Sequence, residues 1–241
     1  MTELLYHTDA YLREFDALIT EVRAEDRAVV LNETAFYPGG GGQPCDFGSL
    51  NVGGVIYVVD KVKKQADQVF HFLGGTTPLP STGAAAHGTL DWVRRHNLMR
   101  THTALHVLCG TIFRDYGAQV TGGNMEPLKG HLDFEFETMH GELVREIENA
   151  MNKEVQAARE IRVNILPREE AFQIPDLIRT KINLLPEGIM HVRTVEIVGL
   201  DLQADGGTHV RNTNEVGKIH VADYKSKGAI NKRIYIDVQN A

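Results

Sequence analysis

The sequence predicts an α+β protein of two domains. The first is a small β-barrel over residues 1–90, and the second, over residues 91–241, joins two main helices to an antiparallel sheet. Short apolar runs separated by glycine-rich turns fill the first domain, which is typical of a barrel. Apolar residues at helical spacing begin near Trp92, and strictly alternating segments follow them.

The composition is that of an ordinary globular protein, with 42% hydrophobic and 24% charged residues in 241. No run of 18 apolar residues occurs, so no transmembrane helix is expected, and the acidic N-terminus does not resemble a secretory signal. The two cysteines stand alone, which favours a reducing, cytoplasmic location. The net charge of −7 argues against coating of nucleic acid through bulk electrostatics, but it leaves room for a local basic patch.

Three strands are predicted in the first domain, at Ala28–Leu31, Val55–Val59 and Val69–Leu73. Between the first two lies TAFYPGGGGQPCDFG, residues 34–48, whose five glycines and two prolines exclude a regular element. Residues 74–83, GGTTPLPSTG, are predicted to form a loop.

The second domain opens with a helix from Trp92 to Tyr116, in which Leu98, Leu105, Leu108 and Ile112 fall at helical spacing. A second helix is predicted from Leu143, Ile147, Met151 and Val155, which recur every four residues. The predicted strands of the sheet are His131–Glu137, Ile161–Leu166, His191–Val198 and Arg233–Val238.

His102 and His106 form an HxxxH pattern on the first helix. Residues four apart lie on one helix face, about 5–6 Å apart at Cβ, so two imidazoles can reach one zinc ion. The spacing alone is also compatible with one histidine packed in the core and the other solvated.

A second segment, Asp205-Gly-Gly-Thr-His209, offers a third imidazole and a carboxylate. Gly206 and Gly207 would let the backbone turn sharply or bring its N–H groups to a ligand. Three histidines leave one position open on a tetrahedral metal, which is typical of a catalytic site. The alternative for His209 is a turn histidine that bonds a neighbouring carbonyl.

HxxxH on a helix, followed about a hundred residues later by GGTH, a threonine and EVG, resembles the editing domain of alanyl-tRNA synthetase and its free-standing relatives, the AlaX proteins. The stretch AFYPGGGGQPCDFG is similar to the N-terminal motif of that family. The stretch MNKEVQAAREIRVNILPREEA is similar to the helix and strand between its two metal-binding motifs. The length and the four glycines resemble the medium-length form.

The resemblance implies a trans-acting hydrolase that deacylates tRNA(Ala) mischarged with serine, with glycine as a further candidate, and spares Ala-tRNA(Ala). It implies a barrel followed by an editing domain of the threonyl- and alanyl-tRNA synthetase type. It also implies one Zn²⁺ per chain, tRNA as the partner, and chemistry that needs no ATP.

The chain departs from the family at Asp205, where the usual residue is cysteine. Asp205 could be the fourth ligand, could orient a ligand histidine, or could point away and leave water on the metal. We favour a site of His102, His106 and His209 with Asp205 close by. Cys109, on nearly the same helix face as His106, could supply a thiolate, although a small buried side chain is favoured there.

The glycine motif is expected to line the substrate pocket, because glycines bring backbone N–H groups close to a ligand. The alternative is a flexible surface loop. The residues assigned to substrate binding are Thr34, Gly39, Gly40, Gly41, Gly42, Gln43 and Thr208. Thr34 and Gln43 could hydrogen-bond a serine hydroxyl, and a site built for that hydroxyl disfavours alanine.

Two basic clusters are expected to hold tRNA through its phosphates, the alternative being that they are solvated charge patches. Their members are Arg94, Arg95, Arg100, Lys225, Lys227, Lys232 and Arg233. Two other functions stay open. The chain could be an RNA-binding module that has lost its chemistry, for which the missing cysteine is the sequence argument, or a metallo-esterase for small molecules.

Overall fold

A computed structural model describes residues 1–179 and 188–239 of the chain. It divides into two compact units, Met1–Asn97 and Leu98–Ala241. Among the described residues, no helix has the length and apolar character that a membrane crossing requires.

The N-terminal unit is built from strands and one short 3₁₀ helix, Leu5–His7. The strands are β1 (Glu3–Leu4), β2 (Glu14–Arg23), β3 (Ala28–Leu31), β4 (Glu33–Thr34), β5 (Gly48–Val52), β6 (Val55–Gln65), β7 (Gln68–Leu73) and β8 (Ala85–Leu90). Six of them close a barrel in the order β2–β3–β7–β6–β5–β8, with antiparallel neighbours throughout. Because closure pairs both edges of the sheet, no strand edge of the barrel is left open.

The barrel is held together by side chains that alternate into its interior. On β2 the buried residues are Phe15, Ala17 and Ile19, while their neighbours face solvent. Gly88 on β8 makes room for this packing, because a Cβ at that position would lie 2.4 Å from Cε1 of Phe15. The barrel predicted from the sequence is confirmed.

The C-terminal unit contains the rest of the chain, and the division between the units falls within its first helix. The helices are α1 (Trp92–Tyr116), α2 (Gly141–Gln156), α3 (Arg168–Ala171) and a 3₁₀ helix at Thr213–Val216. The strands are β9 (Val120–Glu126), β10 (Lys129–Glu135), β11 (Ile161–Pro167), β12 (His191–Ile197), β13 (Asp201–Ala204), β14 (Lys218–Ser226) and β15 (Asn231–Gln239).

Within the described residues of this unit, two antiparallel sheets form, β14–β15–β10–β9 and β11–β12–β13. Helix α2 packs on β14, and Ile147 and Met151 are among its buried residues. Asn152 fixes the register, because its amide donates to Ile219 O at 2.7 Å and accepts from Ile219 N at 3.0 Å. The α+β class with two main helices and an antiparallel sheet is therefore confirmed.

The predicted elements agree closely with the structure where the apolar pattern is strong. Helix α1 and strand β3 have the predicted bounds, and β10 lies two residues earlier than the predicted strand His131–Glu137. The sequence interpretation missed β1, β2, β4, β5, β8, β9, β13, β14 and α3. Strand β9 (VTGGNME) carries two glycines that break its alternation, and β13 and α3 are only four residues long.

Candidate metal centre

The candidate site in the C-terminal unit lies between helix α1 and strand β13. His102 and His106 are one helical turn apart on α1, so both imidazoles point to the same side. Asp201 and Gln203 alternate along β13, and Asp205 follows directly after the strand, so the three side chains share a face. Helical and strand periodicity thus place two sets of polar groups opposite one another.

Four side chains converge at this position. His102, His106, Asp205 and His209 each offer a ligand atom, and these atoms lie within 4.8 Å of one another. The ring centroids of the three histidines are 4.2 to 5.0 Å apart. Asp205 faces the rings, with Oδ2 at 3.0 Å from His209 Nε2 and Oδ1 at 3.6 Å from His102 Nε2.

The cluster is well shielded from solvent, since His102, His106 and His209 are only 5%, 7% and 3% exposed. Polar groups so deeply buried are costly unless they are partnered. Three imidazoles and a carboxylate are also ligands that zinc prefers. The donor set and its spacing therefore fit a divalent cation, and these residues could hold one.

The loop that carries Asp205 and His209 is fixed by hydrogen bonds. Asp205 N donates to Arg193 O at 3.1 Å, and Arg193 Nη1 donates back to Asp205 O at 2.9 Å. Nδ1 of His209 lies 3.1 Å from Thr103 Oγ1, which also accepts from Val210 N at 3.3 Å. Helix α1 and strand β12 thus both anchor this loop.

The two glycines of the loop do not form the sharp, glycine-dependent turn that the sequence suggested. Neither Gly206 nor Gly207 has a left-handed φ, so the turn does not depend on glycine conformation. Instead, Gly207 N donates to Asp205 Oδ2 at 2.8 Å, a side-chain turn of the kind that aspartate commonly makes. A Cβ on Gly206 would meet no described atom within 4 Å, so this glycine borders open space.

The protonation states suit a metal ligand set. Burial lowers the pKa of His102 well below its usual value and that of His209 to about 4, so both rings are neutral. Burial by itself would raise the pKa of Asp205, but the His102 and His209 rings outweigh it and hold that pKa well below its usual range. Metals bind deprotonated donors, so these three groups are ready to ligate.

His106 differs from the other two rings. Burial opposes its charge, but the Asp201 and Asp205 carboxylates outweigh that effect and raise the pKa of His106. Of the three rings, His106 is the one whose charged form the carboxylates favour.

Cys109 is not part of the cluster. Its sulfur accepts from Gln203 Nε2 at 3.3 Å, and burial raises the pKa of the thiol. A thiolate is the form that ligates metal. Cys109 is thus a small buried side chain, as the sequence favoured.

The glycine motif belongs to the N-terminal unit and is an ordered turn. Gly40 and Gln43 exchange backbone hydrogen bonds of 3.0 and 2.9 Å around Gly41 and Gly42, whose φ values are +56° and +88°. Two left-handed residues in a two-residue connection define a tight turn that favours glycine. The hydroxyl of Tyr37 donates to Gly40 O at 3.0 Å and holds the turn in place.

Thr34 is fully buried within the same unit. Its hydroxyl accepts from Phe36 N at 3.1 Å and lies 2.8 Å from His71 Nε2. Since His71 Nδ1 faces Val29 O at 3.3 Å and a carbonyl only accepts, Nδ1 carries the proton and Nε2 accepts from Thr34. One lone pair of the Thr34 oxygen is left for another donor. Thr208 is likewise fully buried, in the loop before His209.

Three of the seven basic residues assigned to tRNA contact are buried and bonded within the protein. Arg95 forms a buried ion pair with Asp46, and Arg100 donates to Val216 O at 2.9 Å and Gln239 O at 2.8 Å. Lys232 donates to Gly228 O and Ala229 O at 2.9 and 2.8 Å. With their donors turned inward, these three are removed from the tRNA-contact proposal.

The remaining basic residues reach the surface. Lys225 and Lys227 are exposed, and Arg94 and Arg233 are partly exposed. Arg94 lies over the Phe47 ring at 3.8 Å, and Arg233 forms a two-bonded pair with Asp133 at 2.6 and 2.8 Å.

Several supporting residues were missed by the sequence interpretation. Asp46 anchors the glycine motif, since it accepts from Tyr37 N and pairs with Arg95. Arg193 and Asp201 contact the cluster directly. The alternation of Asp201, Gln203 and Asp205 was the available signal, because it places the three on one strand face.

Two family descriptions and several known proteins match this sequence. Residues 192–235 match the family described as "Threonyl and Alanyl tRNA synthetase second additional domain", and residues 8–94 match "tRNA synthetases class II (A)". The chain is 39% identical to an alanyl-tRNA editing protein AlaX-M of Saccharolobus solfataricus, covering 99% of this chain and 100% of that protein. It is 36% identical to the AlaX-M protein of Methanosarcina acetivorans, covering 98% of each.

Part of a longer enzyme is also similar. The alanine–tRNA ligase of Ignicoccus hospitalis is 37% identical over 226 residues, which are 91% of this chain but 24% of the ligase. The resemblance drawn from the sequence motifs is confirmed by these relatives.

Proposed function

Because the chain belongs to the AlaX-M family of alanyl-tRNA editing proteins, we propose that it hydrolyses the ester of serine mischarged on tRNA(Ala). Glycine on the same tRNA is a second proposed substrate, and Ala-tRNA(Ala) is spared. The reaction would need no ATP and would take place in the cytoplasm, where tRNA is charged. The identity of 39% over the full chain carries the proposal, and the buried His–Asp cluster supports it.

We place one Zn²⁺ in the cluster, held by His102, His106, His209 and Asp205. Asp205 is included as a ligand because its two oxygens lie 3.0 and 3.6 Å from two of the ring nitrogens. A carboxylate also supplies the negative charge that the family's cysteine would bring. A zinc ion held there would supply a Lewis acid that polarises the ester carbonyl and lowers the pKa of an attacking water.

The protein's own groups keep the ligands in their binding form. Burial holds His102 and His209 neutral. Asp205 is kept ionised by hydrogen bonding with the His209 ring and from Gly207 N. Arg193, whose Nη1 lies 3.8 Å from Asp205 Oδ2, stabilises that carboxylate without occupying the cluster. Little reorganisation is then needed when a cation or substrate enters, which lowers the cost of both steps.

Selectivity for serine is assigned to the N-terminal unit. Thr34 keeps one lone pair after its contacts with His71 and Phe36, and we retain it as a proposed acceptor for the serine hydroxyl although it is fully buried in the free protein. The ordered turn at Gly39–Gly42 would present backbone N–H groups, and Gln43 an amide, to the aminoacyl end. A site with these polar groups rejects alanine because they would be left unpaired.

Contact with the body of the tRNA is assigned to Arg94, Lys225, Lys227 and Arg233. These are the members of the two basic clusters that reach the surface. Phosphate contacts orient the acceptor stem without reading its sequence.

The test is a deacylation assay on seryl-, glycyl- and alanyl-tRNA(Ala), with and without a chelator. We expect turnover of the seryl ester, none of the alanyl ester, and loss of turnover on chelation that zinc restores. Absence of turnover despite bound tRNA would instead indicate an RNA-binding module. Equal turnover of a free seryl ester would indicate a small-molecule esterase.

A further inference from the structure

Asp201 is a buried carboxylate beside the four-residue cluster, and the proposed function gives it no role. It opens strand β13 and is only 4% exposed. Its Oδ2 lies 3.2 Å from Nδ1 of His106, the nitrogen on the opposite side of that ring from Nε2. A carboxylate buried this deeply is costly unless it is charge-paired and hydrogen-bonded, so its surroundings indicate what it does.

The side chain of Asp201 is held from the strand side. Gln203 Nε2 donates to Oδ2 at 2.6 Å, and Arg179 Nε lies 3.3 Å from Oδ1. Gln203 is itself positioned by its contact of 3.3 Å with Cys109 on α1. Both oxygens are thus fixed by donors, and the carboxylate is presented to α1 in one orientation.

The backbone is shaped to bring Asp201 close to α1. Gly110 lies one turn after His106 on the same helix face. A Cβ at residue 110 would lie 2.8 Å from Cβ of Asp201 and 3.0 Å from Cγ of Leu200. Glycine costs about 1 kcal/mol relative to alanine within a helix. Its presence here is explained by the close approach of strand and helix at Asp201.

His106 needs an acceptor at Nδ1 when it binds a metal through Nε2, since the proton then sits on Nδ1. That nitrogen is buried and has no well-aligned hydrogen bond, although Asp201 is within reach. His209 has the corresponding acceptor in Thr103 Oγ1, at 3.1 Å from its Nδ1. Metal-binding histidines usually donate their second N–H to such a group, which fixes the tautomer and the ring.

We propose that Asp201 is a positioning residue that accepts a hydrogen bond from the Nδ1–H of His106 and holds its Nε2 toward the cation. This inference rests on the proposed function, because it requires a cation in the cluster. Gln203 and Arg179 orient the carboxylate, and Gly110 admits it. In this proposal, neither Asp201 nor the residues that orient or admit it contact the substrate ester.

The test compares Asp201→Asn with the wild type in zinc affinity, measured by competition with a chromophoric chelator, and in the visible spectrum of the Co²⁺-loaded protein. The asparagine amide has an NH₂ group, which is a donor, in place of one carboxylate oxygen, so this group faces other donors instead of accepting from them. We expect zinc affinity to fall about 10- to 100-fold and the cobalt spectrum to change, as for other outer partners of ligand histidines.

The matched control is Asp133→Asn, which removes a carboxylate of the same unit that is 8% exposed and paired with Arg233. It should leave zinc affinity and the cobalt spectrum unchanged. Unchanged affinity and spectrum in Asp201→Asn, or an equal loss in both variants, would overturn the proposal.

A second measurement separates positioning from general stability. In a His106→Ala background, Asp201→Asn should cause no further loss of zinc affinity, because the ring it positions is gone. A further loss of zinc affinity in the double variant, as large as the loss that Asp201→Asn causes alone, would contradict the proposal. If Asp201→Asn does not fold, Gln203→Leu replaces it, and we expect a smaller loss and a shifted cobalt spectrum, whereas unchanged values would overturn the proposal.

The outcome also distinguishes this inference from the proposed function. Tight zinc binding by the wild type and by Asp201→Asn alike would remove only the role of Asp201. Failure of the wild type to bind zinc, together with chelator-insensitive deacylation, would overturn the metal site and this proposal with it.

Discussion

At the scale of single residues, the cluster is defined by the electrostatic balance among buried groups. Asp205 stays ionised in a buried position because it is hydrogen-bonded to the His209 ring and to Gly207 N, with Arg193 at 3.8 Å. His102 and His209 stay neutral because burial penalises their charge. At His106 the Asp201 and Asp205 carboxylates outweigh burial and raise the pKa of the ring.

Removing one imidazole should weaken zinc binding strongly. We expect His102→Ala or His209→Ala to lose most bound zinc and most deacylation of Ser-tRNA(Ala), because each change removes one of the four proposed zinc ligands. Zinc content is measured by elemental analysis and activity by ester release. His220→Ala, an exposed histidine of the same unit, is the control. Full zinc and full activity in either cluster variant would contradict the assignment.

The residue at position 205 should set the chemistry of the site. We expect Asp205→Ala to keep part of the zinc, because three imidazoles remain, and Asp205→Cys to keep it fully. The cysteine variant should also become sensitive to peroxide, since a ligating thiolate can be oxidised. Activity after peroxide treatment is compared with that of the wild type and of Cys45→Ser. Complete loss of zinc in Asp205→Ala would make the carboxylate indispensable.

At the scale of elements, two periodicities meet in the site. The step of four on α1 aligns His102 with His106, and the step of two after Asp201 aligns Gln203 with Asp205. The strongest apolar patterns were predictable, which is why α1 and β3 have the expected bounds. Strand β13 was missed because its four residues are mostly polar or small. Their alternation places side chains in the candidate site and not in an apolar core.

A glycine in the barrel offers a test of packing at this scale. We expect Gly88→Ala to destabilise the protein by about 1–3 kcal/mol, because its Cβ would overlap the Phe15 ring in the barrel core. Urea unfolding at neutral pH measures the change. Gly74→Ala, whose Cβ would meet its nearest neighbours only at 3.8 Å, should be neutral or slightly stabilising. Equal effects of the two changes would refute the overlap.

At the scale of the whole molecule, the charge distribution sets two properties that no single element shows. The net charge is −7, so any attraction for tRNA must come from local basic residues. Three of the expected basic residues hold the protein together instead, and Arg95 with its buried partner Asp46 is the clearest case. The surface lysines near the C-terminus remain for the proposed contact.

The two exposed lysines allow a direct test of that contact. We expect Lys225→Ala with Lys227→Ala to weaken tRNA binding equally for charged and uncharged tRNA(Ala). The slope of log affinity against log salt should fall by about one for each phosphate that the variant no longer neutralises. Lys63→Ala with Lys64→Ala changes the net charge equally and is the control. An unchanged slope in the first pair would exclude this surface.

The unfolding free energy at acid pH should depend on His71, a buried histidine of the barrel. Burial lowers the pKa of His71 to about 4, against 6.5 in the unfolded chain, so the unfolded state binds the extra proton between these values. The stability that the neutral His71 ring contributes is fully present above pH 6.5 and is lost as the pH falls toward 4. The whole loss is about 3 kcal/mol of unfolding free energy. We expect His71→Gln to lose less unfolding free energy between about pH 7 and pH 4.5 than the wild type does.

The control for this experiment is His87→Gln, which removes an exposed histidine of the same unit. It should keep the acid dependence of the wild type. The same dependence in His71→Gln would show that the ring is not held neutral in the folded protein.

The sequence by itself determined the fold class, the family and the four residues that meet in the cluster. It could do so because local periodicity and short motifs are properties of neighbouring residues. It could not determine which basic residues are buried, or that Asp201 lies beside His106. Those facts depend on contacts between segments distant in the chain, such as Asp46 with Arg95 and His106 with Asp201, so only the tertiary packing decided them.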